Sequence, residues 1–548
     1  MRLTRILIIV ATTMVLFSQP LLLAETNEPY SPGRYLEDGN WQARNTRATQ
    51  QEPRAPEENP FDIFTEWGTD IRLSYTEGLR IHDPEIAAYG NYVYVTWWNV
   101  EDHQVDLARS TDLGATWQPQ VRISDTLDNY TSIPQITAED SCAYVVYTVG
   151  ASRVWLAKST DHGQIWSRGQ IYGAGRNTGG GATIAARDSQ LYCVFAILVD
   201  YVPPTNSDLF MYGSNDYGET WPDTFFVSDT TFSGIGPELA INRLERQPDP
   251  VLHLIRQAST TPNTEEILYQ RSIDGGQTWL GPAIISDRDT IHSQWPQITA
   301  WGDLNVIATW MDYKYSDQQF NGDAFVSKST DNGETWSTPM AMTSSHLVKS
   351  SDIASCGDTL VLAYHEGLEG PSTIYVNISF DGGATWQGEY EVNDDTAVYR
   401  LEPTVAAGGG YAHVAWSDGR DAGFPGLVEA YYDRAHLDTT ETGMGGSGSG
   451  CYPSPISLSA YPNPFNSSIS ITLSNLYWKG GDYISLTIFD ITGRKVKEFN
   501  LKDAFRGGEV QINWDATDAS GKSVSSGVYF ARVSTPQTSK TIKLLLLR

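Results

Sequence analysis

The sequence predicts an all-β protein: a seven-bladed β-propeller whose last blade is closed by a strand from the N-terminal side, followed by a small C-terminal β-sandwich. Three observations carry this expectation. An octapeptide of the form S-x-D-x-G-x-x-W recurs six times at intervals of roughly 50 residues. A pattern of short alternating strands accompanies each copy. The opening segment of that pattern then appears a seventh time with no octapeptide behind it.

Each residue type in the octapeptide has a physical role. The acidic position is Asp112, Asp161, Asp216, Asp274, Asp331 and Asp381 in turn. Its carboxylate can accept hydrogen bonds from backbone N–H groups of its own turn. The glycine supplies the positive φ of a tight turn without steric cost. The tryptophan is an apolar anchor expected to pin the turn to the sheet beneath it. Thr precedes the Trp in every copy except the second, where Ile165 replaces it.

Taken in order, residues 1–24 read as a secretory signal peptide. Arg2 and Arg5 precede an apolar run from Ile6 to Phe17, and Ala24 offers a cleavage site. A membrane anchor is the competing reading, opposed by Pro20 and by the polar stretch after Glu25. Residues 25–66, rich in Glu, Pro, Asn, Arg and Gln, suit a flexible leader. The propeller is expected over 67–437. In its clearest unit Pro84–Ala88 is an inner strand, Tyr92–Trp97 a second, Val105–Arg109 a third, and Val121–Ser124 a fourth after the octapeptide turn. Equivalent openings start at Pro134, Ala182, Pro237, Pro296, Asp352 and Pro403. Four short antiparallel strands per repeat of this length describe a propeller blade.

The seventh opening continues through Ala412–Trp416 and Val428–Tyr432, then stops in a degenerate Asp433–Asp438. Its fourth strand is expected from Trp67–Ser74, which matches Trp117–Ser124 position for position in residue type. Such a strand would close the ring and remove its open edges. Residues 438–458 contain a Gly/Ser run from Gly445 to Gly450 and suit a linker. Residues 459–548 form a separate unit. There Ile469–Leu473, Ile484–Asp490, Val510–Trp514 and Val528–Val533 alternate as in a small sandwich.

Bulk composition narrows the function. Lys plus Arg number 37 against 66 Asp plus Glu, a net charge of −29. That field would repel nucleic acid and anionic membrane. No apolar run beyond the N-terminus is long enough to span a bilayer, so no transmembrane segment is expected in the mature chain. Cys142, Cys193, Cys356 and Cys451 are too scattered for a disulfide framework. Cys142 with Cys193 stays open as a pair, and buried free thiols are favoured. No cofactor and no metal site are expected. Acidic loops such as Asn393–Asp395 have oxygen donors that suit Ca²⁺, but no recognisable ligand spacing.

The six octapeptides resemble the Asp-box of the sialidase-like, or BNR-repeat, propellers. The C-terminal unit resembles the type IX secretion sorting domain, related to the Ig-like fold. That likeness rests on Tyr461–Asn466, Leu486–Arg494, Trp514–Gly521, Ser526–Phe530 and Lys540–Leu544. It implies a Gram-negative bacterium of the Bacteroidetes type. It also implies export through the periplasm to the cell surface or the medium, with the type IX machinery as a partner.

In a propeller the Asp-box turns lie on one face, and ligands favour the other. The expected ligand face carries Trp98, Tyr313, Arg80, Arg256, Arg400 and Arg420, with His82, Asp83, His292, Trp295, Lys349 and Glu402 among its further polar and aromatic loop residues. Aromatics beside charges suit a glycan or an extracellular protein ligand. The sialidase resemblance implies three arginines clamping a carboxylate, a Tyr nucleophile helped by a Glu, and an Asp acid. Arg80-Ile81, with its Pro displaced to 84, and Arg256 have counterparts in that set, Asp102 could stand for the acid, and Glu366 fits the helper. The nucleophile position holds Ser350, for which no partner base is expected, and the third Arg is replaced by Lys314. A lysine lacks the bidentate fork of a carboxylate clamp. Tyr399-Arg400 is a rearranged pair one blade later. The resemblance also implies six blades in catalytic members rather than seven. The leading expectation is therefore a non-catalytic secreted binding propeller. The alternative is an exo-α-sialidase-type hydrolase using Arg80, Arg256, Arg400, Tyr399, Asp102 and Glu366. A third reading is a polysaccharide-degrading site with paired carboxylates among Asp83, Asp102, Asp312, Glu366 and Asp418.

Overall fold

The computed structural model describes residues 67 to 547 except 76–79, 127, 129–130, 174, 199–206, 229–233, 243–248, 262–263, 290, 317–321, 368–370, 396–397, 421–427, 438–456, 475–484, 502–509 and 535–538. The expected signal peptide, the leader, Cys451 and most of the linker lie outside the described residues.

The described chain is nearly all β. Seven four-stranded antiparallel sheets fall between residues 71 and 436. The first uses Ile81–Tyr89, Tyr92–Asn99, Gln104–Ser110 and Val121–Arg122 in sequence order. Second strands such as Cys142–Val149 are buried along their whole length. They read as continuous apolar runs because each sheet is covered on both faces by its neighbours. The first strands of the other six sheets are Thr131–Glu139, Thr178–Arg187, Gly234–Asn242, Ser293–Trp301, Val348–Cys356 and Arg400–Gly408. Each packs on the next, and Arg400–Gly408 packs back on Ile81–Tyr89. A ring of radially stacked sheets around a central channel is the result.

The last sheet is assembled from both ends of this region. Ile71–Arg72 pairs antiparallel with Glu429–His436, Ile71 opposite Tyr432 and Arg72 opposite Tyr431. So short a strand is held largely by its flanking side chains. Arg72 Nη2 donates to Glu429 Oε1 at 2.5 Å, and the Ser74 hydroxyl donates to the other oxygen of the same carboxylate. Arg420 Nη2 donates to Asp70 Oδ2 at 2.5 Å, and Asp70 N to Asp394 Oδ2 at 3.0 Å. The Glu429 strand continues to His436, beyond the stop at Tyr432 that its degenerate sequence suggested. Its last residues pair with the second strand of the sheet, His436 opposite Tyr411, and Tyr432, fully buried, packs against the first sheet's turn.

That turn shows what the octapeptide does. Ser110 Oγ donates to Asp112 Oδ1 (2.8 Å) and accepts from Gly114 N (2.8 Å). Asp112 then accepts from Thr116 N at 2.9 Å and Thr116 Oγ1 at 2.7 Å. The same set recurs at Asp216, Asp274, Asp331 and Asp381. At Asp161 the backbone bond to Ile165 survives and the hydroxyl bond is lost with the threonine. The glycine and tryptophan face the preceding sheet rather than only their own, contrary to the simple anchoring expected. A Cβ on Gly114 would sit 1.8 Å from Tyr432 Oη, and one on Gly333 1.7 Å from Tyr269 Oη. Trp117 meets Tyr432 edge-on at 4.7 Å, and Trp336 meets Tyr269 at 4.8 Å. The octapeptide is thus a wedge between sheets as well as a turn within one.

Cys142 and Cys193 are buried thiols in one core with no disulfide between them, and Cys356 is half-buried. The C-terminal unit pairs Ser457–Tyr461, Ile469–Ser474 and Val510–Trp514 in one sheet. A second sheet orders Lys495–Asn500, Ser485–Asp490, Gly527–Ser534 and Ser539–Leu546. Its core centres on fully buried Trp514, edge-on to Tyr529 at 5.2 Å. The strand Lys495–Asn500 escaped the sequence reading because its charged residues break the apolar run.

Candidate functional site

Strand direction fixes the faces. Octapeptide turns join third to fourth strands at one end of six of the seven sheets. The starts of the inner strands share the other end with the loops between second and third strands. All seven inner strands carry a register shift near their start, between His82 and Glu85 in the first and between Leu401 and Thr404 in the last. Asp83, Ile133, Trp295 and Glu402 there have φ of 48°, 38°, 54° and 54°. Each precedes a proline, which cannot donate to the ladder and so suits a bulge. The bulges aim one residue per sheet at the channel mouth.

One step further in, the inner strands carry Glu85, Gln135, Thr183, Glu238, Gln297, Asp352 and Thr404, several of which meet across sheets. Gln135 Nε2 donates to Glu85 Oε1 at 2.9 Å and reaches Glu238 Oε1, 103 residues away, at 3.5 Å. Thr404 Oγ1 donates to Asp352 Oδ2 at 3.1 Å. Enclosure raises Glu85 well above the usual carboxylate range, and the charges of Asp352 and Glu238 add to it. Sequence reasoning confined to loops missed this ring. Its signal was the residue following proline in five of the seven openings.

At the mouth, His82 Nδ1 lies 3.3 Å from Glu402 Oε1, while Glu402 Oε2 accepts from Asp83 N and Ser417 Oγ, both at 3.0 Å. Burial raises Asp83 to about 7, with the Glu402 charge adding and His82 opposing. Burial also disfavours ionised Glu402, yet His82 and the hydrogen bonds outweigh it and hold its carboxyl below the usual range. Beside this cluster, Ser350 Oγ is 3.0 Å from His365 Nδ1. The serine therefore does have an imidazole partner, which the sequence did not reveal. Burial pushes that imidazole down to about 3, so it is a weak base.

The arginines do not gather. Arg80 is exposed and holds Glu101 through Nε at 2.8 Å. Arg256 is buried, 2% exposed. Arg400 is completely buried, its Nε on Asp418 Oδ2 at 2.9 Å and its Nη1 on Ser372 O at 2.8 Å. Arg420 takes both oxygens of Asp418, at 3.0 and 2.7 Å, and stacks over Tyr431 at 4.2 Å. Arg400 and Arg420 thus take part in a network that ties the closing strand into the last sheet. Lys314 pairs with Asp287. Asp102 accepts from Arg122 Nη2 at 2.6 Å. Glu366 is half-buried and raised by burial first and the Glu389 charge second. The Tyr399 carbonyl accepts from Gly419 N at 3.0 Å. Asp312 accepts from Ser293 Oγ at 2.8 Å and Trp310 Nε1 at 3.2 Å.

Two aromatic groups occupy the same face. Trp98 stacks on His103 at 6.4 Å. Trp295 is 44% exposed, with its backbone N donating to Gln257 Oε1 at 3.2 Å. Tyr313 donates to Gln294 Oε1 at 2.7 Å and meets His292 edge-on at 6.4 Å. On the opposite face the octapeptide carboxylates are spent within their turns. Hydrogen bonds from Thr220 and Thr335 hydroxyls lead the effects that hold Asp216 and Asp331 down to about 2. No group of His, Cys, Asp and Glu suited to a metal ion occurs among the described residues.

The C-terminal unit matches a known family over residues 459–547: the secretion system C-terminal sorting domain. That unit is a type IX sorting domain. Proteins carrying it are exported by type IX secretion to the cell surface or the extracellular space of Gram-negative Bacteroidetes, and the tail is the part that engages the machinery. No helix among the described residues is long and apolar enough to cross a membrane. No curated protein matches the chain. Among solved structures the chain is similar to a protein of unknown function from Dyadobacter fermentans, at 12% identity and TM-score 0.43, covering 68% of this chain and 98% of that one. It is similar to a PL25 ulvan lyase at 10% identity and TM-score 0.45, covering 66% and 95%. It is also similar to PorZ of Porphyromonas gingivalis at 14% identity and TM-score 0.28, covering 90% and 76%.

Proposed function

We propose that the exported chain is a non-catalytic, sialidase-like binding propeller, with residues 67–437 as the cargo and 459–548 as the address. It holds a glycan or protein ligand on the face opposite its six Asp-box turns. The observation that carries this reading is the commitment of the arginines. Arg80 is paired with Glu101, and Arg400 and Arg420 both serve Asp418. A carboxylate clamp needs guanidinium groups converging on one point, and these are engaged elsewhere. The Ser350–His365 pair does not restore a nucleophile, because a base held near 3 does not take the serine proton at neutral pH.

A fluorogenic sialoside assay tests the choice. No turnover is expected from the purified chain, and turnover abolished by Arg80→Ala would establish the exo-sialidase instead. Deleting residues 459–548 should leave the protein in the periplasm, with export unaffected by the deletion counting against the address.

A further inference from the structure

We infer that Trp295 and the polar side chains behind it form a stacking platform for an uncharged pyranose ring, so that the ligand is a neutral glycan. The inference rests on the binding-face reading and names its ligand class. Of the bulge residues at the channel mouth, Trp295 alone is aromatic; its counterparts include Asp83, Ile133, Ser350 and Glu402. Soluble folds bury tryptophan, yet this one is 44% exposed on a backbone held at φ 54°. The proline after it and the hydrogen bond from its N to Gln257 Oε1 (3.2 Å) fix the strand that presents it. The indole is thereby offered from a rigid element, which lowers the ordering cost of stacking a ring on it.

The surroundings complete a sugar site. Gln294 accepts from Tyr313 Oη at 2.7 Å and donates to Glu265, and His292 lies 3.4 Å from Glu265 Oε2. Amides, a carboxylate and an imidazole beside an aromatic face give acceptors and donors to hydroxyls while the ring's C–H face covers the indole. Charge selects among sugars. Glu265 is held by Gln294, the residue before Trp295, and Lys314, next to Tyr313, is bound to Asp287, with Asp289 at 3.8 Å. A uronate or sialate would therefore meet negative charge at the platform, within a protein of net charge −29.

Isothermal titration of the full secreted chain with galactomannan, hydroxyethyl cellulose and polygalacturonate tests this. At least one neutral polysaccharide should bind, and polygalacturonate should bind about tenfold more weakly or not at all. Trp295→Ala should weaken the neutral ligand about tenfold at an unchanged melting temperature, with Trp295→Phe keeping most of the affinity. Undiminished binding by Trp295→Ala, or a preference for polygalacturonate, overturns the platform. If Trp98→Ala abolishes binding while Trp295→Ala does not, the binding face stands and the Trp295 assignment falls. If none of the three polysaccharides binds, the neutral-glycan inference fails; a protein ligand captured on the same face would still leave the binding propeller intact.

Discussion

Six of the seven sheets are completed locally and the seventh is completed from afar. In the six, the third strand runs through an octapeptide turn into the fourth, so the strands to be joined are already tethered. In the seventh, Arg72 must find Glu429 across 357 residues. Loop-closure entropy grows only slowly with length, but the local turns avoid nearly all of it. The difference shows in the chemistry used. The local turns rely on one exposed carboxylate bonded to its own backbone. The remote seam uses a buried network in which Asp418, 0% exposed, serves Arg400 and Arg420, and Arg420 reaches on to Asp70. A short strand with no covalent tether needs such side-chain bonds to hold its register.

The two kinds of closure fail in different ways when single residues are changed. The largest effect is expected from Asp418→Ala, which strands the buried Arg400 guanidinium. Removing one partner from a buried pair costs about 3–5 kcal/mol. Hydrogen exchange should quicken at residues 71–72 and 429–436 before it does in the other sheets. If all seven sheets open together, the seam is no weaker than the turns. Next comes Gly333→Ala, which forces a Cβ to within 1.7 Å of Tyr269 Oη at a φ of 79°. About 3 kcal/mol is expected, read as a lower denaturation midpoint. A cost under about 1 kcal/mol would show that the wedge gives way easily. Asp112→Ala removes bonds of a mostly exposed carboxylate and should cost about 1 kcal/mol or less, since the neighbouring turns are intact.

A further test separates the two kinds of closure by pH. Burial raises Asp433, beside the seam, from 3.8 to about 7, with the charges of Asp70 and Asp394 adding to the burial and the Arg434 backbone N–H opposing. The folded seam keeps a proton that the unfolded chain gives up, so this contribution falls as pH rises from about 4 to 7 and is flat above. Asp433→Asn should therefore raise the melting temperature by a few degrees at pH 8 and change little at pH 4. The turn carboxylates behave oppositely. Asp216 and Asp331, held down to about 2, give stability that is complete above about pH 4 and lost as pH falls through 2. Equal pH profiles for wild type and Asp433→Asn would remove the seam from the account.

Much of the architecture was written along the chain. The octapeptides carry turn chemistry within eight residues, and alternation marks most of the strands around them. Even the remote closure was legible, because Trp67–Ser74 copies the segment that follows a turn. The candidate site was far less legible. The bulge that exposes Trp295 is signalled by the proline after it, but that proline recurs at inner strands whose bulge residues are Ile133 and Glu402 and says nothing of exposure. Arg400 and Arg420 looked like ligand-face cations, since a sequence shows their type and not that Asp418 lies between them. His365 is a ligand-face candidate by sequence, and only the fold shows that its Nδ1 meets Ser350 Oγ.

The sequence by itself determined the repeat, the turns, the export tail and the end-to-end closure, since each depends on residues near one another or on a copied pattern. The tertiary structure alone decided which charges are spent and which groups meet. The Glu85–Gln135–Glu238 contacts, the His82–Glu402 pair and the burial of Arg400 join residues from different sheets or different loops. Their partners are set by the closing of the ring, and no local propensity encodes that closing distance.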